Sequence, residues 1–265
     1  MKLFISADIE GVNGIVNWDE TDMEKSDYAI FREEMIAEVR AACLGATAAG
    51  AKTILVKDAH DSARNLIHAK LPENVLLHRG WQGVPCSMMA GLDKSFDGVI
   101  FIGYHSGASS SGNPLSHTMN TQNVYVKIND VLASEFYINA LYAAYLGVPV
   151  VFLSGDEALC EEAKAYNKEI EVVATKKGVG GAVISPNPVV TQKAIEDGVK
   201  AVLTKNALPK VIKLPKEFRV EIKYKRVSSA HSVSYYPGCK LINSDTVEFT
   251  SNDYYEVLRA LKFIL

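Results

Sequence analysis

The chain has 265 residues, of which 48% are hydrophobic and 22% charged, and its formal net charge is −3. This is the composition of a globular protein of one or two domains, and its acidic balance argues against a nucleic-acid partner. No apolar run approaches the roughly 20 residues of a membrane span, so we expect no membrane partner.

Apolar strands and helices alternate through the first half of the chain. Strands are predicted at residues 2–7, 52–57, 98–103 and 148–154, and an alanine-rich helix at residues 28–49. A hairpin is predicted at residues 123–132, with Asn129 and Asp130 in its turn. Short strands that alternate with helices favour a mostly parallel sheet flanked by helices.

The pattern changes beyond Gly155. Strands are predicted at residues 171–174, 218–225 and 246–250, and helices at residues 156–167, 187–205 and 252–265. We therefore expect an α/β domain over residues 1–155 and a smaller α+β domain over residues 156–265. The four cysteines form no C-x-x-C pair, and no signal-peptide pattern precedes the first strand. Reduced thiols and a cytoplasmic location are the simplest interpretation.

Three of the predicted strands end in acidic or imidazole side chains. Asp8 and Glu10 follow the first strand, Asp58 and His60 follow the second, and His105 follows the third. Since side chains two apart in a strand point to the same side, each pair can face one crevice at the carboxyl ends of parallel strands. Carboxylates and imidazoles gathered there predict a metal site, and a metal there predicts hydrolysis.

Each of these motifs is a weak signal when taken alone. An aspartate at a strand end is most often a turn or helix-capping residue. Asp58 has three interpretations: it orients His60, it binds a substrate amine, or it stabilises a turn. Glu135 begins a predicted helix, where its spacing alone favours a contact with the helix dipole. His117 alone would be interpreted as a hydrogen-bonded loop residue.

Bound metal ions would balance the negative charge of these groups. The carboxylates of Asp8, Glu10 and Glu135 would repel one another if they packed together without a cation. Two divalent cations would balance them, and the mixed nitrogen and oxygen ligands favour Zn²⁺, with Mn²⁺ and Co²⁺ as alternatives.

Several motifs occur in the order seen in one known family. They are S-A-D-I-E-G-V-N-G-I (6–15), K-D-A-H-D-S (57–62), I-G-Y-H-S (102–106), S-H-T-M (116–119) and I-N-D-V-L-A-S-E (128–135). This order, with matching spacing along the whole chain, resembles the DppA-type D-aminopeptidases, the M55 family of zinc peptidases.

The resemblance implies a site and an assembly. It implies two zinc ions per subunit, held by Asp8, Glu10, His60, His105 and Glu135. It also implies that His117 is a catalytic residue. The family forms a ring-shaped decamer that encloses its active sites, so the resemblance implies a homo-oligomer and, more specifically, a homodecamer.

The implied activity is release of N-terminal residues, D-alanine among them, from short peptides or amides with a free N-terminus. Another metal-dependent amide hydrolase and an L-aminopeptidase are alternatives, and a non-enzymatic α/β binding protein is a more remote one. A phosphatase of the haloacid-dehalogenase type would need no histidine ligands, so His60 and His105 argue against it. Phe136 and Tyr137 are bulkier than the family's residues at these positions, and we expect them to narrow or reshape the substrate pocket.

Overall fold

The computed structural model describes all 265 residues and contains two β-sheets. The strands are β1 (Lys2–Ala7), β2 (Thr53–Asp58), β3 (Val75–His78), β4 (Gly98–Tyr104), β5 (Asn123–Ile128), β6 (Val131–Leu132), β7 (Val150–Asp156), β8 (Glu171–Val179), β9 (Ala182–Ile184), β10 (Phe218–Tyr224), β11 (Cys239–Asn243) and β12 (Thr246–Ser251). The α-helices are α1 (Tyr28–Ala48), α2 (Glu135–Tyr145), α3 (Glu157–Tyr166), α4 (Pro188–Leu203), α5 (Val227–Val233) and α6 (Tyr254–Ile264).

The larger sheet has the strand order β3-β2-β1-β4-β7-β8-β9. All its neighbouring strands are parallel except β8 and β9, which form an antiparallel hairpin at one edge. From β1 the chain builds outward to β2 and β3, and it then returns to place β4 on the other side of β1. The strand order therefore reverses between β1 and β4, and open α/β sheets bind ligands at such a reversal, beyond the carboxyl ends of the strands.

Helices cover both faces of this sheet because its central strands are apolar on both sides. Residues of α1 and α4 pack on one face against side chains such as Leu3 and Ile5. The other face, with Phe4 and Phe101, packs against α2, α3, α6 and the second sheet. A parallel sheet buried on both faces explains why its strands read as continuous apolar runs.

The second sheet is antiparallel, with the order β11-β12-β10-β5-β6. Its β5–β6 hairpin turns at Asn129 and Asp130, whose φ angles are 50° and 67°. Two consecutive positive φ angles suit a two-residue hairpin turn, and asparagine and aspartate tolerate them better than most residues. The hairpin leads directly into α2, so it sets where that helix begins.

The predicted fold class is confirmed: a mostly parallel sheet flanked by helices, with α+β structure toward the C-terminus. The predicted elements are all present, with ends that differ by a few residues. The short elements β3, β9, β11 and α5 were not predicted, since they are brief and partly exposed. The domain boundary near residue 155 stays a prediction; each sheet takes strands from both sides of it.

None of the helices has the length and apolar character needed to cross a membrane. None of the four cysteines forms a disulfide bond in the structure.

Candidate metal centre

Five polar side chains meet at the reversal between β1 and β4. Asp8 and Glu10 follow β1, His60 follows β2, His105 follows β4, and Glu135 is the first residue of α2. Their exposed fractions are only 2%, 3%, 7%, 0% and 3%. Ionisable side chains this deeply buried need partners or a bound cation to balance their charge. The structure thus brings together all five predicted ligands.

Two glycines let the backbone after β1 lie against β4. Gly103 has a φ of +68°, and a Cβ there would lie 2.3 Å from the carbonyl oxygen of Asp8. A Cβ on Gly11 would lie 1.7 Å from the carbonyl oxygen of Tyr104. Any larger residue would push these segments apart. The close approach is what brings Asp8 beside His105.

The carboxylates and imidazoles face one another across distances of 3.2–3.7 Å. His60 Nδ1 is 3.3 Å from Asp8 Oδ1 and 3.2 Å from Glu10 Oε2. His105 Nε2 is 3.7 Å from Asp8 Oδ2 and 3.6 Å from Glu135 Oε1. Two overlapping sets of three, neither of which includes His60, have ligand atoms within 4.8 Å of each other: Asp8 with Glu10 and His105, and His105 with His117 and Glu135.

Backbone carbonyl groups fix the orientation of each imidazole. His60 Nε2 is 2.9 Å from the carbonyl oxygen of Thr21, and His105 Nδ1 is 2.9 Å from that of Ser106. Because a carbonyl only accepts, these ring nitrogens carry the proton and donate it. In the neutral ring the other nitrogen then presents a lone pair to the carboxylates. This is the arrangement that second-sphere carbonyls give to metal-binding histidines.

Two of the facing atoms have no hydrogen-bond partner, although they are buried. They are Glu10 Oε2 and His105 Nε2. A buried polar atom without a partner is costly, and native proteins leave few of them. A cation between these atoms would satisfy both, so the residues present fit a metal site on their geometry as well as their chemistry.

The electrostatics of these residues point the same way. Burial and the neighbouring Glu10 carboxylate raise the pKa of Asp8 well above its usual value. Burial opposes ionisation of Glu10 too, but His60 outweighs it and holds the pKa of Glu10 well below its usual value. Burial lowers the pKa of His105, yet the carboxylates, Glu135 foremost, raise it to about 10. Protons on imidazoles thus stand in for the positive charge that a metal would supply.

His117 lies at the open side of the cluster. Its Nδ1 is 2.9 Å from the carbonyl oxygen of Leu115, and its Nε2 is 3.5 Å from Glu135 Oε1. Its ring stacks on His105, with 4.4 Å between the centroids, and it meets the edge of Trp18. The side chain of His117 is 13% exposed, more than those of the other candidates. It can therefore reach a substrate from its place beside the cluster.

Glu135 is positioned by the start of α2. Ser134 caps the helix by accepting a hydrogen bond from the backbone of Tyr137. One Glu135 oxygen also accepts a hydrogen bond from the backbone N–H of Met119 at 2.7 Å. The predicted position at the start of the helix is confirmed, and the tertiary structure aims the carboxylate at the two histidines.

Asp58 does not face the crevice. It is fully buried and accepts hydrogen bonds from the backbone of Asn65 and Leu66 and from the side chain of Asn65. The Asn65 amide also donates to the carbonyl oxygen of His60. Asp58 therefore fixes the loop that carries His60, and it is too deeply buried to bind a substrate amine.

A second buried aspartate, Asp156 at the end of β7, fixes the loop after His105. It accepts hydrogen bonds from the backbone and hydroxyl of Ser106 and from the amide of Asn113. The Asn113 amide and the ammonium group of Lys176 both donate to the carbonyl oxygen of Glu10. Sequence reasoning missed these supports, although Asp156 follows an apolar strand just as Asp8 does.

Four of the five candidate ligands, all except the fully buried His105, line a pocket of about 520 Å³. Trp18 and Trp81 form aromatic walls, and neither was predicted. The pocket is lined by six acidic residues and by no lysine or arginine: Asp8, Glu10, Asp19, Asp22, Asp61 and Glu135. Even two divalent cations would leave this lining negative, which favours a positively charged ligand.

The expected effect of Phe136 and Tyr137 on the pocket is not seen. Phe136 is fully buried and packs edge-on against Phe101 and Tyr166, with ring centroids 5.4 Å and 5.6 Å apart. Tyr137 packs against Tyr166 as well. Both follow Glu135 on α2 but point away from the cluster, because successive helical residues are about 100° apart around the axis.

Comparisons with known proteins identify the family. The family model described as peptidase M55, D-aminopeptidase, matches residues 1–263. A D-aminopeptidase of Bacillus subtilis (strain 168) is 30% identical over 264 residues, which cover 98% of this chain and 95% of that protein.

A solved structure, the Zn-dependent D-aminopeptidase DppA from Bacillus subtilis, a self-compartmentalizing protease, superposes with a TM-score of 0.93. It is 28% identical, and the match covers 100% of this chain and 96% of that one. A family match over nearly the whole chain, together with the buried carboxylate–imidazole cluster, shows that this chain belongs to the M55 family of D-aminopeptidases.

Proposed function

We propose that the chain is a two-zinc aminopeptidase that releases N-terminal D-residues, D-alanine among them, from short peptides and amides. The observation that carries the two-metal proposal is a pair of buried atoms without hydrogen-bond partners, Glu10 Oε2 and His105 Nε2. The Glu10 oxygen faces the imidazole of His60, and the His105 nitrogen faces the carboxylate of Glu135. The zinc dependence of the structurally similar Bacillus subtilis enzyme supports the choice of metal.

Asp8, Glu10, His60, His105 and Glu135 would hold the two ions. Asp8 would contribute an oxygen on each side of the cluster, since one of its oxygens faces His60 and the other faces His105. Bound zinc would supply Lewis-acid polarisation of the scissile carbonyl and acidify a water molecule for attack. The residues of the chain contribute a rigid frame, because both buried imidazoles are fixed by carbonyl groups and Glu135 by a helix start.

His117 is the candidate proton carrier. Its Nε2 faces the cluster while its Nδ1 donates to Leu115, so the ring has a defined orientation. A histidine at the open side of the site can pass a proton to the leaving amine or stabilise charge on the reacting carbonyl. Its place within ligand distance of Glu135 and His105 leaves a second role, that of a metal ligand, for experiment to test.

The acidic pocket supports a substrate with a free amine. Asp19 and Asp61 are exposed at the pocket, as Asp58 is not, and they replace Asp58 as candidates to attract an N-terminal ammonium group. Anchoring that group beside the first peptide bond would restrict cleavage to the N-terminal residue. The preference for D-residues comes from the family and from the activity of the Bacillus subtilis relative.

Metal removal and substrate choice together test the proposal. Chelation should abolish hydrolysis of a D-alanyl dipeptide and lower the melting temperature, and added Zn²⁺ should restore both. Full activity of metal-free protein would refute the two-metal mechanism. Equal cleavage of an N-acetylated peptide would refute amine anchoring, and faster cleavage of the L-alanyl dipeptide would retain the aminopeptidase and refute the D-preference.

We also propose that the chain forms a closed homo-oligomer, a homodecamer of two rings. The similar Bacillus subtilis structure is described as a self-compartmentalizing protease, which supports an assembly that encloses the sites. Compartments of this kind restrict access to short peptides, in keeping with the proposed substrates.

A further inference from the structure

A second cavity adjoins the metal centre, and it has the opposite character. It has a volume of about 400 Å³ and its walls are mainly apolar, formed by Val84, Pro85, Cys86, Ile138, Leu258 and Leu261. We propose that this α6 cavity binds the second residue of the substrate, which is the residue released as the leaving amine. This proposal rests on the proposed aminopeptidase function, and it specifies where that site binds the second residue of the substrate.

The α6 cavity adjoins the metal pocket. Ser87 and Met119 line both of them. The backbone N–H of Met119 donates to Glu135 Oε1, so the shared wall is attached to a candidate metal ligand. In our proposal, a substrate whose first peptide bond lies beside Glu135 places its second residue on the far side of Met119, in the cavity.

The shared wall has an unusual backbone conformation at both residues. Ser87 has a φ of 43° and Met119 a φ of 63°, in the left-handed region that few residues other than glycine adopt. Hydrogen bonds hold each one there: Ser87 N–H donates to Val84, and Met119 N–H donates to Glu135. Strained residues that the surrounding structure holds in place are frequent at ligand sites.

The charges of the two cavities would orient a bound dipeptide. The metal pocket has six carboxylates and no basic side chain, whereas the α6 cavity has no carboxylate side chain and one basic residue, Lys262. Lys262 is exposed and on the last turn of α6. The ammonium end of a dipeptide would be attracted to the first pocket, and the carboxylate end to Lys262. The residue that carries this carboxylate is the second one.

The apolar wall suits the side chain of that residue. Pockets that recognise small ligands are mostly apolar with a few placed polar groups, as here. Each additional methylene accepted in such a pocket changes kcat/KM by roughly 10-fold or more. We therefore expect the wild type to prefer D-alanyl-leucine over D-alanyl-glycine.

The first test fills the cavity. Val84→Phe introduces a ring from a partly exposed loop, and it should reduce the ratio of kcat/KM for D-alanyl-leucine over D-alanyl-glycine by roughly 10-fold or more. Val190→Phe is the matched control, because Val190 is 60% exposed on α4 and lines neither pocket. This control should keep the wild-type ratio.

The second test removes the charge at the surface, where folding is not at risk. Lys262→Gln should raise KM for D-alanyl-leucine several-fold with little change in kcat. It should leave KM unchanged for the same dipeptide with an amidated C-terminus, which has no carboxylate. Lys94→Gln, at another exposed lysine, is the control and should change neither value.

The outcomes separate the two proposals. If zinc-loaded wild type cleaves both dipeptides but Val84→Phe and Lys262→Gln leave these ratios unchanged, the leaving-residue subsite is refuted and the aminopeptidase stands. If Val84→Phe instead discriminates among N-terminal residues, the cavity binds the first residue and our assignment is wrong. If wild type cleaves no dipeptide with any of Zn²⁺, Mn²⁺ or Co²⁺, the proposed function fails and the subsite fails with it.

Discussion

The protonated nitrogen of each histidine is decided by a single backbone carbonyl. Thr21, Ser106 and Leu115 accept from His60, His105 and His117 in turn, and each leaves one ring nitrogen facing the acidic cluster. In all three imidazoles a backbone carbonyl group therefore sets the tautomer, but the rings differ in their exposure to solvent. This difference separates a candidate proton carrier, His117, from two candidate ligands.

Substitutions at these positions should separate the roles. Glu10→Ala should lose both metal and activity, because it removes an oxygen from the buried set. His117→Ala should keep nearly full zinc occupancy, measured by mass spectrometry, while kcat falls by about 10²–10⁴-fold, the usual contribution of acid–base catalysis. If His117→Ala loses zinc as completely as Glu10→Ala, His117 is a ligand and its proposed role is wrong.

Glu38 should give the protein a pH-dependent stability. It lies on α1, where burial raises its pKa to about 8, against a hydrogen bond from Asn13 and the charge of Lys176 that lower it. Between its unfolded value near 4.5 and 8, the folded state keeps a proton that the unfolded state releases. The free energy of unfolding therefore decreases as pH rises through this window.

Glu38→Gln removes this dependence, since glutamine does not titrate. The free energy of unfolding of the variant minus that of wild type, measured by urea denaturation, should increase by on the order of 3 kcal/mol between pH 5 and pH 8. Glu24→Gln, at an exposed glutamate, serves as the control and should give a flat difference. A flat difference for Glu38→Gln as well would show that Glu38 is ionised in the folded state.

At the scale of elements, strand ends position the cluster and neighbouring elements fix the strand ends. Asp156 both caps α3 and binds the segment after His105, so one side chain connects β7, α3 and the loop beyond β4. That segment, rich in serine and glycine, is thereby anchored at Ser106 and Asn113.

Asp156→Ala should therefore lower the free energy of unfolding by more than the loss of a helix cap alone would. Loss of an N-cap costs about 1 kcal/mol, and leaving the Ser106 donors unpaired adds about 1–3 kcal/mol. Zinc affinity should also fall by roughly 10–100-fold, as when a supporting residue of a metal site is removed. The matched control is Asp253→Ala, which removes the N-cap of α6 at a distance from this loop. Equal zinc affinity in the two variants would contradict the positioning role of Asp156.

At the scale of the whole molecule, the proposed assembly makes a direct prediction. Large apolar side chains are exposed on the isolated chain, including Ile184, Val189 and Tyr235 at 66%, 70% and 77%. Burying such residues in repeated contacts between subunits would stabilise a closed ring. Light scattering coupled to size-exclusion chromatography should give a mass near that of ten chains, and a stable monomer at micromolar concentration would refute the oligomer.

The sequence by itself determined the central strands, the long helix α1, the β5–β6 hairpin and the fold class, because apolar periodicity and turn residues are local signals. The positions of Asp8, Glu10, His60 and His105 at strand ends could be predicted in the same way, since parallel strands place their carboxyl ends at one edge. Glu135 and His117 were found only through resemblance, because a helix start and a loop have no periodicity that points to a crevice.

Only the tertiary structure decided which groups support the cluster and which merely lie near it in sequence. Asp58 and Asp8 follow strands with the same spacing, yet Asp58 turns into the loop of Asn65 while Asp8 faces His105. Phe136 is adjacent to Glu135 but lies in the core. The reason is physical: a side chain's partner is set by contacts across elements far apart in the chain, such as Lys176 with Glu10 and Met119 with Glu135. Local sequence patterns do not predict those contacts.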